Sequence, residues 1–412
     1  MDYLHALNTI ARPIRAADFP RSLQPLHQLL AVLNYPQKAC PAVVVAGSVG
    51  KGTIAHQVAS LLNSNQSVVP RVGLYTSPHL HIFRERFAIN GTLISQQTFA
   101  EAMTTIQTAV ARTPHRYSTF ELATALALWW FREEKVDIAI MEIGIGGRDD
   151  AVNVVPNQLA LITPIEREHA VMLGGTLSSI AAHKAGIIQP EGFALSAPQS
   201  TEVTAVLQQE AAARHAHLTI LPAEELALAA GSNLIERRII PSFSLPESIP
   251  PVHLPGRMEQ ITLNGKTILI DGAHTHRSAQ RLRRTIDQRW PEQPIRIIIG
   301  ILKDKPLTEF ITTFDHPRFR LVLTQTSGHR ALPADQFTQP LHLDSSSLTI
   351  DPDMNHALLT AVESAEEVII ATGSLRTAAV AREVYGLLTP DEYIESQQTR
   401  AIFEGSNYLA RL

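Results

Sequence analysis

Residues 42–46 read Ala-Val-Val-Val-Ala, and residues 137–142 and 159–163 repeat the theme: short, largely β-branched runs that are apolar at consecutive rather than alternate positions. A strand apolar on both faces must be covered on both, and a mainly parallel sheet flanked by helices does that for several strands in succession. Helix-like stretches separate the runs, and a second series follows at 267–271, 296–301, 320–324 and 367–371. Between the two series, Pro241, Pro246, Pro250, Pro251 and Pro255 remove backbone donors and fix φ, so no regular element is expected across 241–255. The pattern predicts two α/β domains, 1–255 and 256–412, joined at this proline-rich stretch.

The chain has 412 residues, which at about 150 residues per domain gives two to three domains. Apolar residues make up 45% and charged residues 18%, a globular balance that excludes a disordered or fibrous chain. Thirty-five basic against thirty-nine acidic side chains leave a net charge of −4, so no global surplus of positive charge draws in nucleic acid or an acidic membrane surface. The apolar stretch 122–131, interrupted by Thr124, falls short of the roughly 20 residues a membrane helix needs. Around Asp2, His5, Arg12 and Arg15 there is no uninterrupted apolar segment of the secretory type. Leu23, Leu26, Leu29, Leu30 and Leu33 instead fall at the three- and four-residue spacings of one buried helical face. The single cysteine, Cys40, excludes an internal disulfide, and no Cys/His ladder with zinc spacing accompanies it; a reducing compartment, the cytoplasm, is the expected setting.

Several candidate functional residues stand just past the ends of the predicted strands. The first run continues into Gly47-Ser48-Val49-Gly50-Lys51-Gly52-Thr53 and then a helix-like segment. Glycines let successive amides turn onto an anion, a helix start adds its positive dipole end, Lys51 adds a point charge and Thr53 offers a hydroxyl to Mg²⁺. This is a phosphate cradle with altered spacing, because the first glycine of the common pattern falls on Val45 and Gly52 displaces the hydroxyl residue by one place. The second run ends in Glu142, followed by Gly144, Gly146 and Gly147; past a strand end, a hard carboxylate suits Mg²⁺, the alternative being a surface carboxylate or a structural turn partner. Glu168 and His169 follow the third run. Lys184 lies in a nearly apolar helical stretch and, read alone, is a snorkelling surface lysine. In the second half, Asp271-Gly272-Ala273-His274 ends a strand, and Arg257 offers a planar guanidinium matched to phosphate oxygens.

Taken in order, these blocks resemble the folylpolyglutamate synthase and dihydrofolate synthase family, ATP-dependent amide ligases of the Mur-ligase type. The resemblance begins at Leu33-Asn34-Tyr35-Pro36-Gln37 and the phosphate loop. It continues through Thr76-Ser77-Pro78-His79-Leu80, Arg84-Glu85-Arg86, Ile89-Asn90-Gly91, Thr119-Phe120-Glu121, Glu142 to Arg148, His169 and Lys184-Ala185-Gly186-Ile187. Its later blocks are Pro255-Gly256-Arg257, Asp271-Gly272-Ala273-His274, Asp304-Lys305, His329-Arg330-Ala331 and Thr372-Gly373-Ser374-Leu375.

The resemblance implies a P-loop-type ATP-binding domain followed by a smaller Rossmann-like glutamate-ligase domain. It implies a reaction in which a pteroate or folate carboxylate takes the γ-phosphoryl group of ATP and the amino group of L-glutamate then attacks the acyl phosphate. Gly47, Ser48, Gly50, Lys51, Gly52, Thr53, Arg257 and Asp271 would contact ATP; Thr53, Ser77, Glu142 and His169 would hold Mg²⁺. Lys51, His169 and Lys184 would be catalytic, with Lys184 carbamylated. Thr119, Phe120, Glu121, Asp149, Asp150, Ala151, His274 and Arg330 would contact the other substrates. ATP contacts drawn from both domains imply closure that excludes water. A monomer acting on small molecules, with neither nucleic acid nor membrane as partner, is expected.

This chain departs from the family pattern at several places. Ser48-Val49 stands where Thr-Asn is usual, Val152 where Thr is usual, Glu166-Arg167-Glu168 where Gly-Leu-Asp is usual, Thr275-His276 where Asn-Pro is usual, and Arg376 in place of an apolar residue. Two other readings stay open at this point: a Mur-like ligase for a non-folate acid, and a nucleotide-binding homologue without turnover.

Overall fold

The structure, a computed structural model, describes residues 1–11, 22–64, 70–303, 305, 307–328, 330–338 and 348–404. Arg12, Arg15, Asp304 and His329 lie outside the described residues. The chain divides into two units, one containing Met1–His79 and Phe83–Val252, the other Leu80–Ile82 and His253–Glu404.

The first unit is built on an eight-stranded sheet. Its strands are β1 (Ala42–Ala46), β2 (Val72–Tyr75), β3 (Phe87–Ile89), β4 (Thr92–Leu93), β5 (Ile138–Glu142), β6 (Leu159–Ile162), β7 (Phe193–Ser196) and β8 (His217–Ile220), in the spatial order β4-β3-β2-β5-β1-β6-β7-β8. Only the β2–β3 and β3–β4 pairs are antiparallel. The three runs singled out in the sequence are the three central strands, and every residue in them is buried. Val43, Val45, Ile140 and Leu161 pack on one face against the helices Lys51–Leu62 and Leu226–Glu236. Pairing β1 with both β5 and β6 places Val45 opposite Glu142 and Ala46 opposite Ile162, so three strands end level. A crevice outside the carboxyl ends of such strands, where the chain order reverses, is where open α/β sheets bind ligands.

The second unit holds a six-stranded sheet of β9 (Glu259–Leu263), β10 (Lys266–Ile270), β11 (Ile295–Ile299), β12 (Phe319–Gln325), β13 (Leu348–Asp353) and β14 (Val368–Thr372), ordered β13-β12-β11-β14-β10-β9. Only β9 runs antiparallel to its neighbour, and separate apolar clusters cover the two faces. The fold class expected from the sequence, two mainly parallel α/β sheets in succession, is the one observed. Predicted strand ends shift by one or two residues: Asp137 and Thr163 fall just outside β5 and β6, Asp271 just past β10, and β11 ends at Ile299 rather than at residue 301. Residues 241–255 form no helix or strand, and the leucine spacing near the start corresponds to the helix Gln24–Val32 with Leu26, Leu29 and Leu30 buried.

Ile140 sits fully buried in β5, where truncation leaves a cavity the flanking strands cannot close. Ile140→Ala is expected to cost about 2–5 kcal/mol, read as a lower urea midpoint at unchanged slope for the first unit.

Candidate active site

Gly47 leaves β1 with φ of +140°, and a Cβ there would lie 1.9 Å from Thr163 Oγ1. Glycine is therefore required where β1 and β6 end side by side. Gly50, at φ +83°, caps the helix Lys51–Leu62, whose first-turn amides point out of the helix start as at any helix N-terminus. Lys51 Nζ folds back onto the Gly47 carbonyl at 3.2 Å. Ser48 is engaged differently from its neighbours. Its amide and that of Val49 donate to Pro164 O at 3.0 and 3.2 Å, and its hydroxyl both donates to Glu166 O at 3.1 Å and accepts from Glu166 N at 2.9 Å. The amides of Ser48 and Val49 thus bond the loop beyond β6, while the glycine-and-lysine part of the cradle lies at the helix start.

Glu142 is 3% exposed and accepts the Ser77 amide at 2.9 Å. A Cβ on Gly52 would sit 3.5 Å from Glu142 Oε2, so the carboxylate faces the first turn of the helix Lys51–Leu62. Glu142 and the phosphate loop leave neighbouring strands, β5 and β1. Thr53 is exposed on that first turn and Ser77 is half-buried just past β2.

Lys184 corrects the reading made from its local sequence alone. It is 2% exposed, near the end of the helix Leu177–Ala185, and donates to Gly47 O at 2.6 Å. Burial, reinforced by the Lys51 charge, pulls its pKa down from the usual lysine value to about 7, with Glu168 and Asp150 opposing the shift. The nearly apolar sequence around Lys184 signals a helix that is packed, not one that floats its lysine into water. Two close approaches hold this helix: a Cβ on Gly147 would lie 2.5 Å from His183 O, and Arg148 N donates to the same carbonyl at 2.7 Å. His183 Nδ1 lies 3.4 Å from Asp149 Oδ2.

Asp150 is buried, accepts the amides of Gly144 and Ile145 on one oxygen and that of Val152 on the other, and so shapes the glycine turn after β5. Burial raises its pKa to about 6 against those three bonds and the Lys51 charge. Ala151 begins the short turn that Asp150 caps. Glu121 is likewise committed to the backbone: it accepts Ser118 N and Oγ, both at 2.7 Å, completing a capping box for the helix Thr119–Glu133. Phe120 lies 5.9 Å from the Tyr75 ring and against Gly144, with Thr119 beside it at the helix start. His169 is exposed, at φ +53°, with Nε2 3.7 Å from Glu168 Oε1. Among the described residues no three His, Cys, Asp or Glu side chains gather about one point. The candidate metal set is a carboxylate, two hydroxyls and an imidazole, and hard oxygens beside a phosphate cradle suit Mg²⁺, which keeps waters and phosphate oxygens among its ligands.

In the second unit, Asp271 accepts Met258 N and Ala273 N, both at 2.9 Å. Burial raises its pKa, opposed by these bonds and by Arg257 and Arg281. A Cβ on Gly272 would meet Arg257 Nη1 at 3.3 Å. His274 Nδ1 lies 2.9 Å from Gly272 O and, facing a carbonyl, is the donor. Arg330 is exposed, its carbonyl accepting Lys303 N at 2.9 Å. Arg86, quoted in the sequence only as part of a block, has Glu142 within electrostatic reach. Nothing in Arg84-Glu85-Arg86 reveals which arginine turns inward.

A model of the Mur ligase glutamate ligase domain matches residues 256–375. The dihydrofolate synthase/folylpolyglutamate synthase of Bacillus subtilis is 29% identical over 398 residues, covering 85% of this chain and 91% of that protein. The crystal structure of folylpolyglutamate synthase from Thermotoga maritima superposes with a TM-score of 0.79 at 25% identity, over 95% of this chain and 99% of that one. Over most of its length the chain is similar to folylpolyglutamate and dihydrofolate synthases, and its residues 256–375 match a Mur ligase domain. The Mycobacterium tuberculosis folylpolyglutamate synthase solved with ADP and AMPPCP also matches, with a TM-score of 0.80 at 25% identity, over 93% of this chain and 99% of that one. Among the described residues no helix is long and apolar enough to cross a membrane.

The lowered pKa of Lys184 has a signed consequence for stability. Below pH 7 the amine is protonated folded and unfolded alike, and the folded state bears the full cost of burying the charge. Between about 7 and the ordinary lysine value the unfolded chain binds more protons, so this cost is relieved as pH rises. Lys184→Met should therefore raise the melting temperature relative to wild type more at pH 6 than at pH 10, as measured by thermal denaturation across that range.

Proposed function

We propose that the protein is an ATP-dependent carboxylate–amine ligase that adds L-glutamate to a pteroate or folate carboxylate, as a dihydrofolate synthase, a folylpolyglutamate synthase or both. The observation that carries this reading is the convergence of Lys51 and buried Lys184 on the Gly47 carbonyl, beside a helix start that faces Glu142. A carboxylate oxygen of the acceptor attacks the γ-phosphorus of ATP and ADP leaves. The amino group of glutamate then attacks the acyl carbon, phosphate leaves with the acyl oxygen, and the nitrogen loses a proton. Every partner is anionic, so the chain's part is to neutralise and align them.

Lys51 and the amides of Gly50, Gly52 and Thr53 hold the phosphates, and Gly47 shapes the turn; Ser48 contributes by fixing the loop to residue 166. Glu142, Ser77, Thr53 and His169 would hold Mg²⁺, which supplies charge neutralisation on the transferring phosphoryl group. Lys184, with an amine near neutral at physiological pH, is suited to attack CO₂ and lose a proton, exchanging a cation for a carbamate anion. Arg257 and Asp271 are assigned to ATP. Phe120, Thr119, Asp149, Ala151, His274 and Arg330 are assigned to the acceptor and glutamate, while Glu121 and Asp150 serve them by shaping the backbone. The assignment of domains follows: 1–255 ATP-binding and catalytic, 256–412 glutamate ligase. The protein works as a cytoplasmic monomer on small molecules, neither nucleic acid nor membrane being its partner, in keeping with one cysteine and a net charge of −4.

Incubation with ATP, Mg²⁺, glutamate and either dihydropteroate or a reduced folate should release phosphate and form an amide; neither acceptor giving product overturns the folate assignment. In the same assay Lys51→Ala should lower turnover by about 10²–10³-fold. Lys184→Ala should be inactive and partly restored by added short carboxylates, which replace the missing anion.

A further inference from the structure

Arg86 ends the short turn Phe83–Arg86, directly before β3, and β3 pairs antiparallel with β2 so that Tyr75 stands opposite Phe87. This places Arg86 beside the segment 76–79 that leaves β2. One residue then holds that segment at both ends. The Arg86 carbonyl accepts Thr76 N at 3.1 Å, and Arg86 Nε donates to His79 Nδ1 at 3.1 Å. The guanidinium lies over the Phe83 ring at 4.9 Å, and the His79 ring packs on the same phenylalanine at 5.3 Å. Between the two anchors, Ser77 N donates to Glu142 Oε2 at 2.9 Å. Glu142 and the Tyr75 hydroxyl are both within electrostatic reach of the guanidinium.

We propose that Arg86 is the positioning residue of the metal centre: by clamping 76–79 it presents the Ser77 amide to Glu142 and so aims both Ser77 and the carboxylate at one ion. This rests on the assignment of Glu142 and Ser77 to Mg²⁺ made above. The clamp needs a planar cation that donates from Nε while stacked on an aromatic ring, which a lysine cannot reproduce. A competing role is separable by sign. A cation that acted by charge alone would repel a divalent ion, so its removal would tighten metal binding; a clamp, once removed, loosens it.

The test is calorimetric titration of Mn²⁺, standing in for Mg²⁺, into the full chain and its variants, each checked for fold by circular dichroism. Arg86→Met is expected to weaken Mn²⁺ binding at least tenfold, and Arg86→Lys and His79→Ala several-fold. Unchanged affinity within twofold, or tighter binding, in folded Arg86→Met overturns the proposal; a purely structural role would lower the melting temperature and leave Mn²⁺ affinity where it was. Should Arg86→Met fail to fold, Arg86→Lys and His79→Ala decide by the same criterion. Wild-type protein that binds no Mn²⁺ removes the metal assignment itself, and the clamp with it.

Discussion

A lysine amine held out of water against a backbone carbonyl sets the terms for the rest of the first unit. Lys184 has almost no solvent contact, its amine bonds Gly47 O at 2.6 Å, and the Lys51 ammonium bonds the same oxygen at 3.2 Å. Two full positive charges on one carbonyl in a desolvated place are mutually unfavourable, and the buried one gives up its proton more readily. Around it the chain is organised to keep the gap closed. Glycines 147 and 186 let the turn after β5 lie on the lysine helix, and Asp150 fixes that turn through three amides.

The two units use a similar local device. Asp150 and Asp271 each lie in a segment that leaves a strand, each is desolvated enough to raise its pKa, and each spends its oxygens on backbone amides, those of Gly144, Ile145 and Val152 for one and of Met258 and Ala273 for the other. A carboxylate so used organises backbone first. A cation lies within electrostatic reach of each aspartate, Lys51 in one unit and Arg257 in the other.

Much of this was readable from sequence because it depends on one-dimensional patterns. Strands buried on both faces announce themselves as unbroken apolar runs, and β1, β5 and β6 are such runs; the phosphate loop follows from glycine and lysine placed after one of them. What sequence could not supply is the direction in which a polar side chain turns. Lys184 looked like a surface residue because a lysine stem can always snorkel, and only the packing of the turn 144–148 on its helix decides that it does not. Glu121 and Asp150, which the resemblance implies as substrate contacts, also bond the local backbone, and a carboxylate can serve either purpose. Ser48 reaches residue 166, a partner 118 positions away that no local motif contains.

The missing side chain at residue 147 acts as a feeler gauge. Its Cα approaches the backbone of His183 and Lys184 so closely that even a methyl group would collide with main-chain atoms, which have no rotamer to retreat into. A wedge there would lift the helix, moisture would follow into the opening, and the amine beyond it would regain its ordinary basicity. The acidity of a lysine is thus metered by a hydrogen atom thirty-seven positions earlier in the chain, at residue 147 against residue 184.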